Sequence, residues 1–314
     1  MPLICYEDKR FRDKSLTKIA LASKIIQAYA RQGLDLTLRQ LYYRFVAAAL
    51  IPNKQSEYKK LGKVISDARL AGLIDWSAIV DRTRHLRALD NWTDPHDILD
   101  DCARWYHLDR WRDQENRVEV WIEKDALVGV IQQVCQRNDV AYFSCRGYAS
   151  QSSLWRAARR IGRYIEGGQK VTVLHLGDHD ASGIDMTRDI ERRLDLYLSH
   201  DGHHHKFDWE IDRIALNMDQ VRRYRPPPNP ARQRDPRAAE YIAEFGDQSW
   251  ELDALEPPVL IQLIEDAIVA LRDDDAWDAL QDEEEVGRRR LRAIANMVGH
   301  DAELSEEEGE GDEE

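Results

Sequence analysis

Apolar residues in the first third of the chain recur with the 3.6-residue period of helices rather than the twofold alternation of strands. The stretch FRDKSLTKIALASKIIQAYARQ (11–32) reads as one amphipathic helix, stopped by Gly33. A second follows over 37–50. There Thr37 and Gln40 have the T-x-x-Q spacing of a capping box, and Leu38, Leu41, Tyr42 and Phe45 form one apolar stripe at i, i+3, i+4 and i+7. A short IPNKQ connection leads to a third helix over about 55–71, and then to GLIDWSAIVDRTRHLR. Two helices across a short turn, followed by a basic segment, predict a helix-turn-helix or winged helix. Lys59, Lys60, Lys63, Arg69, Arg82 and Arg84 would be its DNA-facing cations.

From about residue 117 the pattern changes. NRVEVWIEK, VAYFSC, KVTVLHLGD and WEIDRIALNM are strand-like, and ALVGVIQQVCQR, SLWRAARRIGRYIE and GIDMTRDIERRLDLYL are helical segments interleaved with them. Such alternation predicts an α/β fold with a mostly parallel sheet flanked by helices. RPPPNPARQRDPR reads as an exposed loop, and helices around 237–245, 257–272 and 286–298 close the fold. The expected division is a winged-helix domain over 1–112, an α/β domain over 113–300, and a disordered acidic tail over 301–314.

Two features in this frame carry chemistry. Tyr42 belongs to the apolar stripe, whereas Tyr43 is turned about 100° away and shares a face with Arg39 one turn earlier. A phenol with a pKa near 10 is a poor nucleophile, so the guanidinium matters: it can favour the phenolate or hold a phosphate beside the oxygen. The competing reading is a half-exposed tyrosine stacked on an arginine. The second feature is acidic. Glu123 ends the first strand of the α/β region, and Asp178 and Asp180 end the third, in GDHDASG, with His179 turned to the opposite side. If those strands are neighbours, three carboxylates meet at the carboxyl edge of the sheet, where α/β sites form. An all-oxygen set suits Mg²⁺, with Mn²⁺ as a substitute. The competing reading is that such aspartates are helix caps. Gly183 would let the backbone approach closely in the turn after them.

Composition sharpens this picture at three points. The net charge is −13, but residues 1–90 hold 17 Lys and Arg against 9 Asp and Glu, while 301–314 hold nine acidic residues and no basic one. A basic N-terminal region on an acidic chain is the asymmetry expected of a domain that meets a polyanion. Four dispersed cysteines (Cys5, Cys102, Cys135, Cys145) without a CxxC pair predict reduced thiols and no zinc site. The lack of an 18-residue apolar run and of a signal-like N-terminus predicts a cytoplasmic protein without a membrane span, nucleoid-associated if prokaryotic. There is no Walker A loop and no G-x-G-x-x-G fingerprint, and the His203–His205 run reads as polar loop.

VEVWIEKDALVGVI followed about fifty residues later by VLHLGDHDASGIDM resembles the Toprim domain, with its strand-end Glu and its DxD. The preceding TLRQLYYRF narrows the resemblance to the A subunit of topoisomerase VI and the related meiotic break-forming transesterase. RGYASQSS and ELDALEPPVLIQLIEDAI also fit that plan, so the resemblance covers roughly residues 30–272. It implies a winged-helix domain carrying a Tyr-Tyr pair ahead of a Toprim domain. It further implies Tyr43 as nucleophile, Arg39 assisting at the phosphate, Glu123, Asp178 and Asp180 holding Mg²⁺, and Glu123 serving in proton transfer. The implied reaction is cleavage of double-stranded DNA by transesterification, leaving a 5′-phosphotyrosyl link and a free 3′-hydroxyl. The implied assembly is a homodimer, with the tyrosine of one subunit facing the metal of the other. Strand passage would need an ATPase B-type subunit, since this chain has no ATPase or transducer element. The short form resembles orphan A-subunit-like proteins. The alternatives are a Toprim nuclease that uses water and a non-catalytic DNA-binding protein of a mobile element.

Overall fold

The structure, a computed structural model, describes the backbone of residues 3–33, 36–80, 89–200, 208–231 and 235–309. Arg82, Arg84 and His203–His205 lie outside the described residues. The N-terminal part holds three helices, α1 (Asp13–Ala30), α2 (Leu38–Ala47) and α3 (Gln55–Leu70). The capping box forms: the Thr37 hydroxyl accepts from the Gln40 amide, and the Gln40 side chain accepts from the Thr37 amide at 2.8 Å. Ile19, Ala22 and Ile26 of α1, Leu41 and Phe45 of α2, and Leu61 and Ile65 of α3 are buried together as one core. The α/β architecture is as expected. No β-hairpin wing follows α3 among the described residues, where the backbone makes only isolated bridges, Cys5 with Ala71 and Leu36 with Ile79.

Next along the chain comes α4 (Pro95–Trp105), which periodicity did not single out. Asp94 caps it and Pro95 opens it. Then follow β1 (Asn116–Ile122), α5 (Val128–Arg137), β2 (Ala141–Ser144), α6 (Gln151–Glu166), β3 (Lys170–Leu176), α7 (Ala181–His200) and β4 (Trp209–Ala215). The sheet is all parallel with order β2-β1-β3-β4. Its central strands are buried on both faces, as a sheet covered on both sides requires: Val118, Val120, Trp121 and Ile122 are enclosed, and so are Val171, Val173, Leu174 and Leu176, with Glu119, Thr172 and His175 buried among them. Because β1 and β3 are neighbours, the Glu123 amide donates to the Leu176 carbonyl at 2.9 Å, and both acidic motifs leave the sheet at the same edge. α6 packs on β3 and α7, and α10 (Pro257–Val269) packs on α5 and β4. Before it lie α8 (Met218–Tyr224), a two-stranded pair β5 (Asn229–Pro230) and β6 (Gln248–Ser249), and, between those strands, α9 (Ala238–Phe245).

The chain divides otherwise than expected. Residues 1–84 and 117–271 form one compact unit, and 85–116 with 272–314 form another. In the second, α4 packs against α11 (Asp274–Gly309), Trp111 is fully buried edge-on to Trp277, and Arg110 pairs with the buried Glu284 at 3.0 Å. This helix pair joins segments about 170 residues apart, which local composition cannot announce. The backbone of α11 also runs through Gly309, into the acidic segment expected to be disordered. Residues 301–309 contain Ala, Leu and Glu, all good helix formers, and no Pro. All four cysteines are free. Among the described residues no helix is long and apolar enough to cross a membrane.

Gly183 tests the strand-to-helix turn. A Cβ there would lie 2.1 Å from the Asp178 carbonyl oxygen, a backbone atom that cannot step aside cheaply. Gly183→Ala is expected to cost about 3 kcal/mol, measured as a lowered urea midpoint with unchanged slope.

Candidate active site

The three predicted carboxylates come to the same edge of the sheet, each with one oxygen engaged by the protein. Glu123 Oε2 accepts from the Asp178 amide at 2.9 Å. Asp178 Oδ1 accepts from the Leu252 amide at 2.7 Å. Asp180 Oδ1 accepts from the Gly183 amide and the Ser182 hydroxyl, both at 2.7 Å, so Asp180 is also a helix cap for α7. His179 turns the opposite way, into an aromatic nest of Tyr241, Phe245 and Trp250, with Nδ1 2.8 Å from the Tyr241 hydroxyl. The second oxygens, Glu123 Oε1, Asp178 Oδ2 and Asp180 Oδ2, accept no hydrogen bond from any described residue. Three hard oxygens left open suit a divalent cation that keeps several waters. The three groups do not close to within 4.8 Å of one another, so in this arrangement such a cation would take one or two of them directly.

Sequence reasoning missed the partners of these acids. Lys124 Nζ lies 2.9 Å from Asp178 Oδ1, 2.9 Å from Glu251 Oε2 and 3.1 Å from Asp253 Oδ1. Glu251 and Asp253 come from the turn after β6, which runs beside the DxD turn because Trp250 bridges to His179. Arg213, on β4, donates to the carbonyls of Asp178 at 2.6 Å and Gly183 at 3.0 Å and so holds the DxD turn from below. Burial pulls its guanidinium down to about 10 against the opposing pull of Glu123, Asp178 and Asp180. Burial likewise raises the Glu123 carboxyl above the usual range, with the Asp178 amide and Lys124 resisting. The one available signal was ELDALEPP, an acidic pair in a turn of otherwise apolar residues.

The tyrosine helix belongs to the same unit. A turn at Leu252–Ala254 packs on α2, with Ala254 in the α1–α3 core. That turn corrects the expectation of a half-exposed Tyr43, which is only 3% accessible. Tyr42 is core, with its hydroxyl donating to Asn53 at 3.0 Å and accepting from the Lys54 amide at 2.8 Å. Arg39 does share a face with Tyr43, its guanidinium carbon 5.7 Å from the ring centre and Nη2 3.5 Å from the hydroxyl. It is also claimed by two acids, Glu251 through Nη2 and Asp253 through Nε at 2.8 Å. Burial, then Asp253 and Glu251, push the Tyr43 phenol above its ordinary value, with Arg39 and Lys124 opposing. Tyr43 is therefore a neutral phenol here. It lines a cleft of about 260 Å³ together with Arg39, Lys54, Asp180, Asn229 and Glu251.

The chain matches no family model and no curated protein. The reading of this site therefore rests on its geometry.

The basic helix is partly neutralised. Lys60 pairs with Glu57 at 2.6 Å and Lys63 with Asp67 at 3.2 Å, both on exposed stems, and Lys59 is exposed. Arg69 does not reach outward: it stacks on Trp76 at 4.7 Å and donates to the carbonyls of Trp76 and Ile79. A second cationic face was overlooked. Arg156, Arg159 and Arg163, at i, i+3 and i+7 on α6, are exposed with Trp155, while Arg160 turns inward to the buried Glu119 at 2.7 Å. Asp94, His96 and Asp97 also offer metal-ligand atoms within 4.8 Å of one another, but they are the capping turn of α4, where Asp94 accepts from the Asp97 amide.

Glu251 provides a pH test. Burial pushes its carboxyl up, but Lys124 and Arg39 outweigh that and hold it at about 2, below its ordinary 4.5. A depressed folded-state value stabilises above the ordinary one and is lost as pH falls through the lower. Glu251→Gln is expected to cost about 2 kcal/mol at pH 7, chiefly because it leaves the largely buried Lys124 short of a partner, the Arg39 side of the contact being exposed. The gap from wild type, read by urea denaturation, should narrow from pH 4.5 downward and close near pH 2.

Proposed function

We propose that this chain is a DNA-cleaving transesterase of the topoisomerase VI A-subunit kind, with a winged-helix-like domain and a Toprim domain, acting on double-stranded DNA as a homodimer. The observation that carries the reading is that Tyr43, Arg39 and Asp180 line one cleft. A scissile phosphate in that cleft would compete with Glu251 and Asp253 for the Arg39 guanidinium, whose fork suits phosphate oxygens. The Tyr43 oxygen attacks phosphorus, the bond from phosphorus to the 3′ oxygen breaks, and a 5′-phosphotyrosyl link and a 3′-hydroxyl result. The phenolic proton leaves Tyr43 and a proton is gained by the 3′ oxygen. Glu123, whose carboxyl burial raises above its usual range, is the residue assigned to that transfer. Glu123, Asp178 and Asp180 would hold Mg²⁺, one or two of them directly and the rest through its waters, and when bound it would supply charge stabilisation at the phosphate and leaving oxygen. Arg156, Arg159 and Arg163, with Lys59, supply cations for the DNA backbone.

A second reading, hydrolysis by metal and water, is favoured by the burial of Tyr43. One assay separates them: end-labelled DNA with Mg²⁺ or Mn²⁺, stopped with detergent, with and without protease. Transesterification predicts that Tyr43→Phe loses protein-linked ends by about a thousandfold. Tyr42→Phe should keep them and cost about 1 kcal/mol of stability for its lost hydrogen bonds. Equal cutting by wild type and Tyr43→Phe, with protein-free ends, would overturn the reading. Mixing Tyr43→Phe and Asp180→Asn chains then tells whether the tyrosine works with its own acids or with a partner's. Recovery of single-strand nicking means a site shared between subunits, and silence means a site within one chain.

Binding is checked separately with uncleaved DNA. Exchanging both Arg156 and Arg163 for Ala is expected to reduce the slope of log affinity against log salt by roughly two, measured by fluorescence anisotropy.

A further inference from the structure

One cation of the chain itself sits among the carboxylates of the acidic site. Lys124 Nζ sits within 3.1 Å of three carboxylates, Asp178, Glu251 and Asp253, drawn from two separate turns. Asp253 is almost fully buried, and Lys124 and Glu251 are each 19% accessible. The lysine follows Glu123 directly, so its backbone is pinned at the end of β1. Its charge, by contrast, rides on a four-carbon stem that can withdraw without moving the strand. Five acids, Glu123, Asp178, Asp180, Glu251 and Asp253, face three cations, Lys124, Arg39 and Arg213. Arg213 is tied to backbone carbonyls and Arg39 belongs to the tyrosine helix. Lys124 is thus the cation best placed to be exchanged.

We propose that Lys124 is an internal counter-ion that competes with a divalent metal for this site and is displaced from Asp178 when the metal binds. The inference rests on the reading of Glu123, Asp178 and Asp180 as metal-holding groups. A divalent ion on the Asp178 carboxylate would face the ammonium as a like charge across a single carboxyl group, so the two bind in opposition. Displacement also redistributes Glu251, whose Oε2 is shared between Lys124 and Arg39. Loading the acidic site would thereby alter the contacts of the arginine beside Tyr43. The device keeps the acids neutralised, and the fold intact, when no metal is bound.

The test measures metal binding rather than cleavage. Mn²⁺ titrations, followed by electron paramagnetic resonance of the free ion, compare wild type, Lys124→Met, Lys124→Arg and the double variant Lys124→Met/Asp178→Asn. Lys124→Met is expected to bind Mn²⁺ about tenfold more tightly than wild type, Lys124→Arg close to wild type, and the double variant to lose the gain. Since Lys124→Met leaves buried acids without their cation and its fold is at risk, a second measurement uses the unaltered protein. Reductive methylation of Lys124, quantified by mass spectrometry, should rise several-fold on adding Mg²⁺ to wild type and not in Asp178→Asn. Equal or weaker Mn²⁺ binding by folded Lys124→Met, or labelling indifferent to Mg²⁺, overturns the proposal. If no variant binds Mn²⁺, the metal reading falls with it. If Mn²⁺ binds as expected but Tyr43 links to no DNA, only the transesterase reading fails.

Discussion

The part of the structure on which the rest depends is the set of carboxylates at one edge of a parallel sheet. Five acids near one another cannot all be ionised and buried unless cations or dipoles answer them. The chain supplies both. Lys124 binds three of the acids, Arg39 two, and the amides of Asp178, Leu252 and Gly183 cap Glu123, Asp178 and Asp180. Each of these contacts draws a different segment to the site, so the electrostatic requirement also organises the tertiary structure. The turn carrying Glu251 and Asp253 lies beside the DxD turn on one side and α2 on the other.

This arrangement explains how two differently folded segments make one cleft. The three-helix core buries Leu41, Tyr42, Tyr43 and Phe45, and it would leave Arg39 as a solvated side chain. Glu251 and Asp253 turn that arginine into a link between the helix and the acidic edge. Arg39 itself is exposed, but breaking the link takes a partner from the buried Asp253 carboxylate, which is costlier than losing a pair exposed at both ends. Burial, with Asp253 and Glu251 beside it, keeps Tyr43 a neutral phenol at the wall of the cleft. A phosphate entering the cleft would therefore have to draw Arg39 away from its acids before the phenol becomes useful. Under the proposed function, binding and activation would be one event, because the same guanidinium would serve both.

The smaller unit shows a different logic. α4 and α11 meet through Trp111, Trp277 and the buried Arg110–Glu284 pair, with Gly287 lying beneath Tyr106, where a Cβ would come within 2.3 Å of the ring. Among the described residues, aromatic area and the buried Glu284, held by both Arg110 and Arg288, tie the two helices together.

Much of the local structure was legible from the chain alone. The capping box at Thr37, the strand–helix alternation from residue 117 and the placement of Glu123, Asp178 and Asp180 at strand ends all follow from side-chain period and short-range hydrogen bonding, which adjacent residues decide. Even the close approach at Gly183 could be read from the residue type. The tertiary structure alone decided what each charge faces. Tyr43 has a polar face on its helix, yet a turn more than two hundred residues later covers it. Arg69 stands among lysines in the sequence, yet it folds back on Trp76. Nothing in its local sequence marks Lys124, yet three carboxylates from distant turns converge on it. Period fixes which way a side chain leaves the backbone, but burial and partnership depend on segments brought together by folding, and no local pattern encodes those.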